Sequence, residues 1–340
     1  KDLFPNVKNI KDSVKNILQN YKLNPIYHNR KNNLNKLNLD IINDKNSIVL
    51  ITGGCGFIGS NFINYFFRKY DKVKIINFDA MYYCANETNI EEYIRSSDRY
   101  TLVKGNLRSL ELLKYIFCNN KITHVIHFAA QSHVQNSFED SLNYTNDNIV
   151  GTHNLLENAR LYGKDIQKII HVSTDEVYGE SSFDENESTK TEQSILCPTN
   201  PYAATKAGAE ELCMAYNNTY KMPIMVTHTM NVFGLRQHPE KFIPLIIKRV
   251  RDQEKIFVHA NEECTKAGSR HYIHASDVAD AVLFLLEHGK SGEKYNIAGM
   301  EELDDEQLVN LIADIMGKKA IYELIDFHSS RPGHDLRYAL

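Results

Sequence analysis

The sequence predicts an α/β fold: a doubly wound parallel sheet followed by a smaller mixed C-terminal lobe. Three observations carry this. Short apolar runs alternate with helical stretches from Ser47 to Thr229. Three glycines sit between the first run and the first helix. After Thr229 the alternation weakens. Strands alternating with helices imply one parallel sheet covered on both faces.

The elements follow in chain order. Residues 1–46 form an extension rich in Asn and Lys. Within it, Val7, Ile10, Val14, Ile17 and Tyr21 recur at helical spacing and predict a short amphipathic helix. Such a helix either docks on the body or pairs with another copy, and two heptads are too few to favour pairing. The stretch Asn29–Asn46 reads as a linker or arm. Ile48–Thr52 is apolar and ends in glycines, as a buried parallel strand does. Phe57–Tyr70 predicts a helix and Val73–Phe78 a second strand. Tyr100–Val103, Val125–Phe128, Ile169–Val172 and Val226–Thr229 read as further strands. Helices are expected around Leu110–Phe117, Ile149–Leu161, Ser276–His288 and Glu306–Met316.

Composition narrows the function. The net charge of −4 over 340 residues, with both signs interspersed, points to neither nucleic acid nor an anionic membrane as partner. No apolar run approaches the roughly 20 residues of a membrane helix, and the N-terminus lacks secretory features. The first residue is Lys rather than Met, as in a trimmed chain or a fragment. The six cysteines are scattered without a Cys-x-x-Cys pair, so no metal site or disulfide framework is expected. A reduced, cytoplasmic protein is expected.

The glycine loop carries the first functional signal. In Thr52-Gly53-Gly54-Cys55-Gly56-Phe57-Ile58-Gly59 the spaced glycines are Gly53, Gly56 and Gly59. The first permits a tight turn, the second lets backbone N–H groups approach a pyrophosphate, and the third lets helix and strand pack closely. Asp79 follows at the end of the next predicted strand, placed to accept from ribose hydroxyls. A carboxylate there repels a 2′-phosphate, so NAD is expected rather than NADP. The first domain is therefore Rossmann-type.

Tyr202 and Lys206 lie four residues apart, on one face of a predicted helix that starts at Pro201. An ammonium near a phenol lowers its pKa and lets it act as a base toward a sugar hydroxyl. Alone, such a pair suits a solvated helix face equally well. Ser173-Thr174-Asp175-Glu176 follows a strand directly, at the end of the sheet where ligands bind. Two carboxyl groups in one cleft can be driven to different pKa values, giving one acid and one base. An exposed acidic turn is the plain alternative.

From Ser47 onward the chain resembles the nucleotide-sugar 4,6-dehydratases of the extended short-chain dehydrogenase/reductase superfamily. The matching segments are Thr52–Ser60, His127–Val134, Val172–Gly179, Thr199–Glu210, Pro239–Leu245, Ser269–Ile273, Glu293–Ile297 and Arg331–Tyr338. The run Ser173-Thr174-Asp175-Glu176-Val177-Tyr178-Gly179 is the specific one, since related epimerases and decarboxylases usually carry small or hydroxyl residues at the two acids. The resemblance covers dTDP-glucose and UDP-glucose dehydratases, and Pro198–Lys206 is somewhat closer to the latter.

The resemblance implies a mechanism. Tyr202, helped by Lys206 and Thr174, takes the proton of the glucose 4-hydroxyl while NAD takes the hydride. Glu176 then removes the C5 proton, Asp175 protonates the departing 6-hydroxyl, and the hydride returns to C6. NAD is thereby a recycled prosthetic group. The resemblance also assigns Phe57, Ile58, Asn106 and Ala129 to the cofactor, with the glycine loop, Asp79, Tyr202 and Lys206. Ser132, His133, Asn231, Lys241, Arg270, His334 and Tyr338 fall to the nucleotide-sugar substrate. It implies a homodimer built on Ile149–Leu161 and Tyr202–Tyr220.

Several positions depart from the family pattern. Gln131 stands where Glu is usual, Asn106 where an Asp receives the adenine amino group, His228 for Arg, Leu235 for Pro and Ser330 for Asp. The stretch 259–268 is slightly long. The domain reading is an extension (1–46), an NAD-binding domain with the catalytic residues (47–230) and a lobe that mainly binds the nucleotide sugar (231–340). The rivals are a nucleotide-sugar 4-epimerase or similar redox enzyme, which needs Tyr202 but no acid pair, and a catalytically silent NAD-binding protein.

Overall fold

The computed structural model describes residues 10–15, 44, 46–182, 189–326 and 336–340. Six strands follow the predicted runs: β1 (Ile48–Thr52), β2 (Lys74–Asp79), β3 (Tyr100–Lys104), β4 (His124–His127), β5 (Lys168–Thr174) and β6 (Ile224–Thr229). A seventh, Lys294–Ile297, pairs with β6. The order across the sheet is 294–297, β6, β5, β4, β1, β2, β3, and every pairing is parallel. The chain runs outward from β1 through β2 to β3, then returns to β4 on the other side of β1. That reversal opens a crevice beyond the carboxyl ends of β1 and β4, where ligands bind in such sheets.

Period-two alternation sorts the strand residues between two cores. Val49 and Ile51 of β1 face Phe62, Phe66 and the helix Ala275–His288, whereas Leu50 faces Leu113, Leu155 and Cys213. Ile170 and Val172 of β5 join the first core and Ile169 the second. Each fully buried aliphatic or aromatic side chain contributes about 1.5–3 kcal/mol.

The segment after Met230 builds two things. Its strand Lys294–Ile297 and helix Ala275–His288 complete the sheet layers, the helix packing on Phe57–Lys69. The remainder forms a separate core between the helices Phe242–Asp252 and Asp305–Ile315 and the paired strands Lys255–Ala260 and Ile321–Asp326. Residues 10–15 are helical, and Ile10 and Val14 are buried in this third core beside Ile243 and Leu308. The helix therefore docks on the body here; Val7, Ile17, Tyr21 and most of the predicted linker lie outside the described residues. No helix of the described residues is long and apolar enough to cross a membrane.

Candidate active site

Two cavities open at the carboxyl edge of the sheet. They share Phe57, Ile58, Ser132, Ser173, Tyr202 and Lys241, so they meet at Tyr202. The first of them to be built from sequence is the glycine cleft. Gly53 leaves β1 with φ of +71°, and its N–H donates to the Phe78 carbonyl at 2.9 Å. A Cβ here would lie 2.6 Å from the Ala129 nitrogen, so only glycine fits without strain. At Gly59 a Cβ would meet the Gly54 Cα at 2.8 Å and the Gly53 carbonyl, which explains the close helix–strand approach.

The helix Phe57–Lys69 starts after Gly56 with no side-chain cap and no acid in its first turn. Its first N–H groups and the positive end of its dipole are thus left for an anion. Asp79 ends β2 and accepts from the Cys55 N–H and the Met81 N–H, each at 2.8 Å. Burial raises its pKa, and those two N–H groups act against the rise. A turn that a Cβ would fill, an open helix end and a buried carboxylate together fit a dinucleotide's pyrophosphate and ribose. The expected cofactor residues Gly53, Gly56, Phe57, Ile58, Gly59, Asp79, Asn106, Ala129, Tyr202 and Lys206 all line this cleft.

β5 delivers the acids. Thr174 is its last residue and caps the short turn Asp175–Tyr178, accepting from the Glu176 N–H at 3.4 Å. Its hydroxyl donates to Asp175 Oδ1 at 3.1 Å. Asp175 is buried, and burial with the neighbouring Glu176 charge pushes its carboxyl up to about 7. Near neutral pH it is therefore substantially protonated and able to donate. Glu176 is half-buried and accepts from Asn200 Nδ2 at 3.4 Å.

The helix Pro201–Tyr220 delivers the phenol and the amine, capped by Asn200 Oδ1, which accepts from the Ala203 N–H at 2.9 Å. Tyr202 and Lys206 are both buried, and Lys206 Nζ donates to the Val172 carbonyl at 2.7 Å. Burial brings the Lys206 ammonium down to about 8. The expected lowering of the Tyr202 phenol needs correction. Burial holds it well above its ordinary value, and the Glu176 and Asp175 charges push the same way, while a hydrogen bond with Thr174 opposes them. Desolvation dominates, which residue spacing alone does not reveal.

The second cavity gathers Thr174, Asp175, Glu176 and Tyr202 with Ser132, His133, Asn231, Lys241, Arg270 and Tyr338. The Arg270 guanidinium lies over the Tyr338 ring, 4.8 Å from its centroid, and Nη1 donates to the Ser269 carbonyl at 2.8 Å. His334 lies outside the described residues. Among the described residues no group of three or more His, Cys, Asp and Glu is arranged to hold a metal.

The family model described as GDP-mannose 4,6 dehydratase matches residues 50–339. The chain belongs to the GDP-mannose 4,6 dehydratase family. The chain is 40% identical over 292 residues to a trifunctional UDP-glucose 4,6-dehydratase/UDP-4-keto-6-deoxy-D-glucose 3,5-epimerase/UDP-4-keto-L-rhamnose-reductase of Arabidopsis thaliana, covering 86% of this chain and 43% of that protein. It is 39% identical over 274 residues to a dTDP-D-glucose 4,6-dehydratase of Dictyostelium discoideum, covering 78% of this chain and 62% of that protein. The chain thus spans less than two thirds of either relative. The dTDP-glucose 4,6-dehydratase DesIV of Streptomyces venezuelae, crystallised with NAD and TYD bound, superimposes with a TM-score of 0.77 at 33% identity, over 86% of this chain and 88% of that one.

Three residues of this 4,6 dehydratase family member were not singled out from sequence. Asn200 bridges the helix cap to Glu176, and an Asn before Pro at a predicted helix start was a usable signal. Asp305 lines the sugar-side cavity, accepts from the Tyr272 hydroxyl at 2.9 Å and is pushed up to about 6 by burial, with Arg270 and Tyr272 opposing. Asp147 sits in the cofactor cleft on the widened helical turn Thr145–Val150. Neither Asp305 nor Asp147 has a sequence signature. His228, one of the departures, is fully buried, with Nε2 facing Glu210 Oε2 at 2.9 Å and Nδ1 the Tyr178 hydroxyl at 2.7 Å.

Proposed function

We propose that this chain dehydrates a nucleotide-activated glucose, dTDP-glucose or UDP-glucose, to the 4-keto-6-deoxy sugar with NAD as recycled cofactor. The observation that carries the reading is the union of Asp175, Glu176 and Tyr202 in one cavity that joins the glycine cleft at Tyr202. An epimerase would have no use for the two acids.

NAD held by the glycine cleft would supply the chemistry of a hydride acceptor and donor beside the sugar. The chain's residues do the proton work. Tyr202 removes the 4-hydroxyl proton, with the Lys206 ammonium favouring the phenolate and Thr174 hydrogen-bonded to the phenol. The resulting 4-ketone acidifies the C5 proton, which Glu176 takes. Asp175 gives its proton to the departing 6-hydroxyl, which leaves as water, and once C6 has regained the hydride Glu176 returns its proton to C5. Gly53, Gly56, Phe57, Ile58, Gly59, Asp79, Asn106 and Ala129 hold the dinucleotide. Arg270 takes the substrate diphosphate with its planar fork, and Ser132, His133, Asn231, Lys241, His334 and Tyr338 complete the nucleotide-sugar contacts.

Incubation with UDP-glucose and with dTDP-glucose, followed by alkaline detection of a 4-keto product, tests the reading. Product from either supports it, and kinetic constants for the two choose the base. No product from either, with NAD supplied, overturns it.

A cytoplasmic homodimer completes the proposal. The scattered cysteines suit a reducing compartment. The helices around Ile149–Leu161 and Pro201–Tyr220 expose Val150, Leu161 and Tyr220, which supports pairing through them. Gel filtration is expected to give twice the chain mass; a purely monomeric profile contradicts pairing.

A further inference from the structure

We infer that Glu240 is a positioning residue: it takes the Tyr83 hydroxyl across the mouth of the cofactor cleft, and this bond latches two arms of the chain that set how fast the dinucleotide enters and leaves. The inference rests on the proposed dinucleotide site.

Each arm follows a strand. Residues 80–86 follow β2, and residues 234–241 follow the strand Val232–Phe233. Tyr82, Tyr83 and Cys84 of the first arm line the cofactor cleft, as do Gln237, His238 and Glu240 of the second. The arms are anchored away from their tips. Met81 has φ of +57°, and its N–H donates to Asp79 Oδ1 at 2.8 Å. The Asn86 N–H donates to the Cys55 carbonyl at 3.0 Å. Arg236 has φ of +72°, and its Nη1 donates to Asn61 Oδ1 at 3.0 Å. Asn61 Nδ2 donates in turn to the Leu235 carbonyl at 2.9 Å. A left-handed backbone is uncommon at residues other than glycine and persists where neighbours hold it. Here the holders are the end of β2, the glycine loop and the helix Phe57–Lys69, which build the cleft itself.

The tips meet at Glu240. The Tyr83 hydroxyl donates to Glu240 Oε1 at 2.8 Å, and the Tyr83 ring meets the His238 ring edge-on, with centroids 5.4 Å apart. Tyr83 is 57% exposed, so ring packing holds it only in part and the charge-assisted bond matters more. Glu240 also lines the sugar-side cavity. His133 Nε2, from that cavity, lies 3.7 Å from the same Oε1. His133 Nδ1 accepts from the Asn136 N–H at 3.3 Å, which leaves the proton on the nitrogen that faces Glu240. A cofactor that is recycled within each turnover gains from slow release, because every departure leaves the site to be refilled. A bond that must break before the arms part slows entry and exit together, as a gate does.

The test loads the purified full chain with radiolabelled NAD, chases with excess unlabelled NAD and follows the bound label by rapid filtration. Equilibrium dialysis of the same label gives the dissociation constant. Tyr83→Phe and Glu240→Ala are each expected to release label roughly three- to tenfold faster than the parent chain. The double variant should be no faster than the faster single one, since both remove one bond. Glu240→Gln keeps an acceptor for the hydroxyl and should release at close to the parent rate. The dissociation constant should change by less than about twofold, because entry speeds up with exit. Should Glu240→Ala fail to fold, Tyr83→Phe alone decides. Unchanged release from Tyr83→Phe overturns the inference, as do effects that multiply in the double variant. A dissociation constant that rises as much as the release rate marks a direct contact with the dinucleotide and overturns it too. A parent chain that binds no NAD overturns the proposed cofactor site itself and this inference with it.

Discussion

Asn200 donates from Nδ2 to Glu176 Oε2 across 3.4 Å while its Oδ1 caps the helix that carries Tyr202. One side chain thus ties the end of β5 to the start of the phenol's helix. The position of the carboxylate relative to Tyr202 depends on it.

Asn200→Ala removes both links. Loss of the cap costs about 1 kcal/mol, and thermal denaturation should show a fall in Tm of about 2–4 °C. Asn200→Asp keeps a capping oxygen but sets a carboxylate against Glu176. It should recover the Tm without recovering turnover. Equal recovery of both would mean that Asn200 acts only through the helix.

Asp175 gives a pH dependence with a definite sign. Its carboxyl is pushed up to about 7, so it donates below that pH and ionises above it. Turnover should fall as pH rises through about 7, and Asp175→Asn should lower it by roughly 10²–10⁴ and lose that limb. The limb belongs to Asp175 and Glu176 as a coupled pair. For stability the folded value lies above the ordinary carboxyl value of 3.8. The contribution is full below the unfolded value and is lost as pH rises through the folded one. The Tm of Asp175→Asn relative to the parent should therefore climb between about pH 4 and pH 8. A flat difference would mean that the carboxyl titrates normally.

Gly53→Ala tests the cradle. The residue has φ of +71°, and its Cβ would lie 2.6 Å from the Ala129 nitrogen. The left-handed backbone alone costs roughly 1–2 kcal/mol, and the loop must shift away from Ala129. The variant should lose nucleotide from the purified protein, read as the absorbance ratio of protein to released dinucleotide. Full retention would place the pyrophosphate elsewhere.

Much of the fold was legible because apolar runs mark buried strands. Leu50 and Ile51 point to opposite cores, as a strand covered on both faces requires. The strand Lys294–Ile297 escaped because an edge strand needs no continuous apolar run: Lys294, Tyr295 and Asn296 are only half-buried. The glycine loop and the Asp175–Glu176 pair were legible because their chemistry lies in short local segments. Asp147 and Asp305 were not, since each joins its cavity through contacts from distant parts of the chain. The direction of the Tyr202 shift was misjudged for a related reason. Spacing places Lys206 near the phenol, but burial sets how strongly the ionised form is penalised.

The central claim is that Glu176 takes the C5 proton after Tyr202 has begun oxidation at C4. Rapid mixing of NAD-loaded Glu176→Gln with the nucleotide-glucose, followed at the reduced-nicotinamide absorbance, tests it most directly. The account predicts that reduced nicotinamide forms without release of a 4-keto-6-deoxy product, and that Tyr202→Phe forms neither. Full dehydration by Glu176→Gln would contradict it.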